Sequence, residues 1–266
     1  MDWNFLQQAV FPSLTSWKDF RILNVSFGSV STIFTLLKQN FPGSDIKTVR
    51  IDNIDTFFDQ EPATENNNDK NKWDYILVLE PGLTHYDLKD LLGKLPALLK
   101  PTGIIAAHVY GLTGYYGLNM VSTIIKKIST GIPFSPENPD MTELIEITRS
   151  VVSHLPANHP ASRQKAIMEK LANGDPQTIE ELLHLSPGNI YTVPQIIDMI
   201  ADSGGRLVNW VNPTLYDPTR YIENRSIAGK LKSIPQPLCW EIAELINALP
   251  ADHYFFVGLR TPGTLL

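Results

Sequence analysis

Short apolar runs alternate with helix-period segments along the first half of this chain, and no other feature narrows its fold as much. Arg21-Ile22-Leu23-Asn24-Val25 reads as a buried strand, and the stretch after Gly28 reads as a helix with Val30, Ile33, Phe34 and Leu37 on one face, ended by Pro42-Gly43. A second strand is expected over residues 46–51. The polar, Asn-rich segment DQEPATENNNDKNK (59 to 72) has little that packs and is expected to be a mobile surface loop. A third strand follows at 75–79. The next helix aligns Leu88, Leu91, Leu92, Leu95, Leu98 and Leu99 before Pro101 and Gly103 break it, and residues 104–110 form the fourth strand. Strands joined by helices of this length imply right-handed crossovers and a mostly parallel sheet covered on both faces, the doubly wound α/β class.

From about residue 118 to 185 the pattern is almost wholly helical, broken by Pro133, Pro136, Pro139, Pro156, Pro160 and Pro176. This stretch is expected to be a helical insertion or cap, 112–190, within one domain of 1–266. A helix (Val193, Ile196, Ile197, Ile200), a strand (206–211), a helix (Trp240, Ala243, Ile246) and a last apolar run (253–259) follow, with no internal repeat. Composition is that of a globular chain, with 43% apolar residues and a net charge of −6. Lys126-Lys127 is the only adjacent basic pair, which argues against a nucleic-acid grip. A lone Cys239 forms no internal disulfide and no C-x-x-C half-site, so a reducing, cytoplasmic setting is expected. The opening MDWNFLQQAVF lacks a basic n-region and no apolar run reaches membrane-helix length, so the expectation is an untargeted protein without membrane association.

In open α/β sheets ligands bind beyond the carboxyl ends of the strands. The first such turn, Asn24-Val25-Ser26-Phe27-Gly28-Ser29-Val30-Ser31, leads into a helix whose free N–H groups suit a carboxylate or phosphate. The second strand ends at Asp52, where an acid can accept from both hydroxyls of a ribose. Together these suggest an adenosine ligand, while a solvated strand-end acid or a turn shared with Asp55 is an even alternative for Asp52.

The order of these segments resembles the class I S-adenosylmethionine-dependent methyltransferases. RILNVSFGSVS lies where that family has a strand running into an acid and a glycine-rich loop, and VRIDNID matches its second strand with the ribose acid. WDYILVLEPGLTHYDLKDLLGKLPALLKPTGIIAAHVYG is similar to its fourth strand, fourth helix and fifth strand. HVYGLTGYYGLNM, SHLPANHP, ELLHL, IYTVPQIIDMIADSGG and LVNWV are similar in order to a bacterial subfamily with a helical insertion, YTVPQ being the most specific piece. The resemblance covers about residues 20 to 260 and implies a Rossmann-like, seven-stranded sheet whose last strand inserts antiparallel beside strand 206–211. It departs from the family in the glycine loop, where Asn24 replaces the acid, Ser26 the first glycine and Val30 the last, leaving Gly28. Tyr115 and Asn119 stand where the subfamily has arginine and tyrosine, and SPGN before YTVPQ lacks an Asp-Arg pair.

The resemblance implies S-adenosylmethionine as cofactor. Asn24, Ser26, Gly28 and Ser29 would hold its methionine end, Asp52 its ribose, and Leu79 and Glu80 would lie near sugar and base. Ordinary capping of the following helix is the competing reading of the serines. His85 falls at the family position overlooking the methyl group, where a neutral imidazole can take a proton from the nucleophile; otherwise it is a helix-entry residue beside Asp87. Tyr110, Tyr115 and Tyr116 would line the acceptor pocket or face the sulfonium, with His184 and Tyr191 closing it from the cap, against readings as sheet-to-cap packing and a helix-end histidine.

His154 and His159 are separated by Pro156 and make no i, i+4 metal pair, so no metal is expected. Neither G-x-S-x-G nor G-x-x-x-x-G-K-[ST] occurs, and a dinucleotide-binding domain would need the glycines this loop has lost. The function expected is methyl transfer to a small-molecule or peptide acceptor with His85 as base. Two alternatives stand beside it: a catalytically inactive relative serving as partner subunit or binding module, which the altered loop favours, and a binder of another adenosine-like ligand.

Overall fold

Alternating burial sets the strands, each of which sends successive side chains to opposite faces of one sheet. The computed structural model describes residues 20–26, 32–60, 72–79, 88–129, 141–185, 189–248 and 252–260. Its strands are β1 (Arg21–Ser26), β2 (Asp45–Arg50), β3 (Trp73–Val78), β4 (Leu99–Gly111), β5 (Ile190–Tyr191), β6 (Gly205–Trp210) and β7 (Asp252–Leu259). They form a seven-stranded sheet in the order β2-β1-β3-β4-β7-β6, with β5 pairing on β4 beyond that path. The pairs β1–β2, β1–β3, β3–β4 and β4–β5 are parallel, and β7 runs antiparallel between β4 and β6. The antiparallel insertion of the last strand is thus as expected.

The helices are α1 (Thr32–Asn40), α2 (Ile54–Gln60), α3 (Leu88–Lys94), α4 (Leu112–Ile128), α5 (Thr142–Ser153), α6 (Lys165–Asn173), α7 (Pro176–His184), α8 (Val193–Asp202), α9 (Arg225–Leu231) and α10 (Gln236–Asn247). One sheet face sends Leu23, Val25, Ile76, Val78, Ile105, Ala107, Val109, Phe255 and Val257 against α2, α3 and α8. The other sends Ile22, Leu77, Leu79 and Ala106 against Leu37 and Phe41 at α1. A third cluster lies among α4 to α7, built on Leu118, Val121, Ile125, Leu171, Ile179 and Leu182. Each such side chain, fully buried, contributes about 1.5–3 kcal/mol relative to exposure.

Several local expectations shift. The second strand stops at Arg50, and Ile51–Asn53 forms a 3-10 turn entering α2, so Asp52 follows the strand instead of ending it. Asp59 and Gln60 are helical, and the rest of the expected polar loop through residue 71 lies outside the described residues. The leucine stripe divides between α3, a 3-10 turn (Leu95–Leu98) and β4. Lys100 to Gly103 does not stop a helix; it is a bulge inside β4, since Trp73 pairs Leu99 and Tyr75 already pairs Ile104. Lys100 Nζ reaches Asp74 Oδ2 at 2.7 Å beside it, and a Cβ on Gly103 would stand 2.9 Å from the Trp73 carbonyl oxygen. The helical stretch begins at Leu112, immediately after β4.

The YTVPQ segment has a structural account. Thr192 caps α8, its hydroxyl accepting from Gln195 N while the Gln195 side chain accepts from Thr192 N, a reciprocal capping box with Pro194 in the first turn. The next free helix N–H, that of Val193, donates to Glu244 Oε2 of α10 at 2.9 Å. Glu244 is buried, accepts from the Thr113 hydroxyl at 3.4 Å, and faces His253 Nε2 at 3.5 Å. His253 Nδ1 meets the Tyr216 hydroxyl at 2.7 Å, and the Tyr216 ring stacks on Trp210 with centroids 3.9 Å apart. One carboxylate therefore joins the starts of α4 and α8 to α10 and β7.

Candidate functional site

The chain passes from β1 outward to β2 and then returns to place β3 on the other side of β1, so the topological switch lies between β1 and β3. Ligands of open α/β sheets bind at that point, beyond the carboxyl ends. Ser26 ends β1 there, buried, and Leu79 follows β3, also buried. Asn24, on the same face of β1, is buried and donates its amide sideways to Thr48 Oγ1 at 3.5 Å. Gly28, Ser29, Glu80 and His85 lie outside the described residues, as does the side chain of Asp52.

The structure adds a pair that the sequence reading passed over. His108 sits two residues before Tyr110 on β4, directly across from Tyr254 of β7, and the rings stack with centroids 4.1 Å apart. Asp252, diagonal to His108 in the same register, brings Oδ1 to 2.9 Å from Nε2. Nδ1 lies 3.2 Å from the Leu79 carbonyl, where the β3–β4 ladder ends at Val78 and Ala107. The Leu79 carbonyl can only accept, so Nδ1 is the ring nitrogen placed to donate to it, while Nε2 faces the Asp252 carboxyl group. His108 is buried and the Asp252 side chain is 36% exposed, so the pair presents one accessible carboxyl group at the sheet's carboxyl edge. A histidine in the apolar run IIAAHVY was the available signal.

Beyond His108 the aromatic row continues. Tyr110 meets His108 edge-on at 5.5 Å and Tyr115, in the first turn of α4, at 4.7 Å. Burial, with the Glu181 and Asp252 carboxylates adding, pushes the Tyr110 phenol up to about 12. Burial and then Asp252 raise Tyr115 and Tyr254 as well, so all three are neutral hydroxyls at physiological pH. Tyr110 and Tyr115 line a cavity of about 80 Å³ with Leu118, Thr178, Glu181 and Leu182. A liquid water occupies roughly 30 Å³, so only a small group fits inside.

The structure separates the other expected acceptor residues from that cavity. Tyr116 is 53% exposed, because one residue along a helix turns the side chain by about 100° from Tyr115. His184 closes α7, its carbonyl accepting from Asn189 Nδ2 at 3.0 Å, and does not line the cavity. Tyr191 packs against the main core on the far side of β5 from Ile190, which faces the helical cluster. Among the described residues no group of His, Cys, Asp and Glu is placed to hold a metal ion, and no helix is long and apolar enough to cross a membrane.

No protein-family model matches the chain. Among solved structures, PKMT2 from Rickettsia typhi in complex with AdoHcy superposes with a TM-score of 0.61 at 13% identity, over 92% of this chain and 50% of that one. A second structure of PKMT2 from Rickettsia typhi gives 0.56 at 14%, over 92% and 49%. The fold is the Rossmann-like methyltransferase fold. The chain spans about half the length of these solved structures. Within this fold, the β1–β3 switch and the His108–Asp252 edge each bring polar groups to the carboxyl side of the sheet.

Proposed function

We propose that this chain binds S-adenosylmethionine at the β1–β3 switch and transfers its methyl group to a small-molecule or peptide acceptor approaching from the Tyr110–Tyr115 side. The observation that carries the reading is the superposition over 92% of the chain on a structure described in complex with AdoHcy. Ser26 and Asn24 support the reading in that they put a hydroxyl and an amide at the carboxyl end of β1, groups able to hydrogen-bond a polar ligand. The residues assigned to hold it are Asn24, Ser26, Gly28 and Ser29 for its amino-acid end, Asp52 for the ribose, and Leu79 and Glu80 for sugar and base. When bound, the cofactor supplies an activated methyl group, so the protein's own part is alignment and proton removal.

His85 is assigned as the base for an acceptor that must lose a proton. His108 orients Asp252 and, through the Leu79 carbonyl, fixes where β3 hands the chain to the segment that carries Glu80 and His85. Tyr110 and Tyr115, held neutral, offer hydroxyl donors and ring faces to the acceptor.

The deciding experiment is calorimetric titration with S-adenosylmethionine and S-adenosylhomocysteine, with Asp52→Ala alongside. Micromolar binding, weakened about 10- to 100-fold by the substitution as for a lost hydrogen bond to a charged group, is the expected result. No heat, together with an unchanged melting temperature at millimolar ligand, would overturn the reading and leave the fold as a partner subunit.

A further inference from the structure

A cleft of about 410 Å³ opens where the 3-10 turns Pro213–Tyr216 and Pro218–Arg220 meet the end of α9 and the start of α10. This volume lies within the roughly 300–1,000 Å³ of small-molecule sites. The cleft is built on the sheet face that carries Trp210 and Phe255, whereas Asn24 and Ser26 share the other face with Ile22. Its apolar wall is Pro213, Pro218, Leu231 and the ring of Trp240. Leu231 is buried and Trp210 stands edge-on behind Trp240 with centroids 5.7 Å apart, so the core holds this wall in place. On α10, Gln236, Cys239 and Trp240 fall at i, i+3 and i+4, on the side that continues into buried Ala243.

Two opposite charges line the cleft without pairing to each other. Asp217 is half-buried, and its Oδ1 accepts from Thr219 N at 3.0 Å and from the Thr219 hydroxyl at 2.6 Å. These bonds fix the carboxylate and leave Oδ2 without a partner among the described residues. The group faces inward: after burial, its charge is what raises the Cys239 thiol, whose Sγ donates to the Leu231 carbonyl at 3.2 Å. Lys232, exposed at the rim where α9 ends, has no carboxylate within ion-pair distance among the described residues. Just beyond it α10 begins with Pro235 as N-cap and no capping side chain, so the positive end of the helix reinforces Lys232. An acid and a base held apart beside an apolar wall match a ligand that carries both charges on an apolar body.

We propose that this cleft binds a free α-amino acid with an aromatic side chain, its ammonium on Asp217, its carboxylate on Lys232 and its ring against Pro213, Pro218, Leu231 and Trp240. The site shares no residue with the methyl-transfer site, so the two stand or fall separately.

The test is titration of the whole chain with L-phenylalanine, followed by tryptophan fluorescence and calorimetry. Hydrocinnamate, which lacks the ammonium, and phenethylamine, which lacks the carboxylate, serve as probes with the same ring, and Trp240→Phe assigns the optical signal. The expected result is saturable one-to-one binding of phenylalanine, a fluorescence change lost in Trp240→Phe, and binding of each truncated probe weaker by at least about tenfold, as for a lost charged hydrogen bond. Asp217→Asn keeps the oxygen that holds Thr219 and should erase the preference for phenylalanine over hydrocinnamate. Lys232→Gln, at an exposed position, should erase the preference over phenethylamine. Circular dichroism checks that both variants fold. No saturable binding of phenylalanine, equal binding of all three probes, or preferences unchanged in the two variants would overturn the proposal. So would phenylalanine binding that survives both substitutions together at full strength.

Discussion

Replacing Glu244 by alanine removes one side chain and strands three groups. Val193 N–H, inside the core at the start of α8, loses its acceptor at 2.9 Å; His253 Nε2, fully buried, loses its facing carboxylate; the Thr113 hydroxyl loses a partner at 3.4 Å. Leaving a buried amide unsatisfied costs about 1–3 kcal/mol, and the lost Thr113 partner and the emptied space beside His253 add to it. Together these give an expected destabilisation of about 3–5 kcal/mol. For a chain of this size each kcal/mol lowers Tm by about 2–4 °C, which gives a drop of about 6–20 °C. Glu244→Gln keeps an oxygen for Val193 N–H and should lose only about 1–2 kcal/mol. Urea unfolding followed by far-ultraviolet circular dichroism measures both, and a cycle with His253→Ala should show a coupling above about 0.5 kcal/mol. A loss below about 1 kcal/mol for Glu244→Ala, or perfect additivity with His253→Ala, would refute the assignment of Glu244 as the joint between helices and sheet.

Thr192→Ala should cost about 0.5–2 kcal/mol by breaking the capping box of α8, read as a lower urea midpoint with an unchanged slope. Gly117→Ala should cost at least about 2 kcal/mol, because its new Cβ would stand 2.1 Å from Ala161 N and force α4 off the 3-10 turn Pro160–Arg163; thermal melting checks it. Alkaline stability should fall early: an unfolded tyrosine ionises near pH 10 and folded Tyr110 near 12, so the stability held by its neutral form is complete below about pH 10 and is lost as pH rises toward 12. Tyrosinate absorbance should accordingly appear together with unfolding; smooth ionisation of Tyr110, Tyr115 and Tyr254 in the native state would contradict it.

The sheet was legible because its strands are short apolar runs whose period survives any tertiary detail, while the placement of β7 came from the family resemblance and not from the pattern itself. The Lys100-Pro101-Thr102-Gly103 bulge was not, since the same residues that end helices also open a strand when Asp74 and Trp73 stand beside them. Tyr116 illustrates a second limit: adjacent tyrosines read alike until helix geometry sends one of them into solvent. His108 and Asp252 are distant in sequence, and only the β4–β7 register makes them neighbours. YTVPQ stood out as a motif while its reason stayed hidden, because the acceptor for Val193 N–H comes from α10.

The placement of β7 bears on how the molecule is made. Synthesis delivers β4 and β6 before the strand that separates them. Until residues 252–259 clear the ribosome, both neighbours present open edges and lack the packing that Phe255 and Val257, fully buried in the finished sheet, will supply. The nascent chain can thus complete the β2-β1-β3-β4 half early, but its sheet stays in two pieces until β7 arrives. A pause or truncation ahead of Asp252 would leave an edge suited to pairing with another chain, so the molecule's exposure to aggregation is concentrated in the interval before β7 is made.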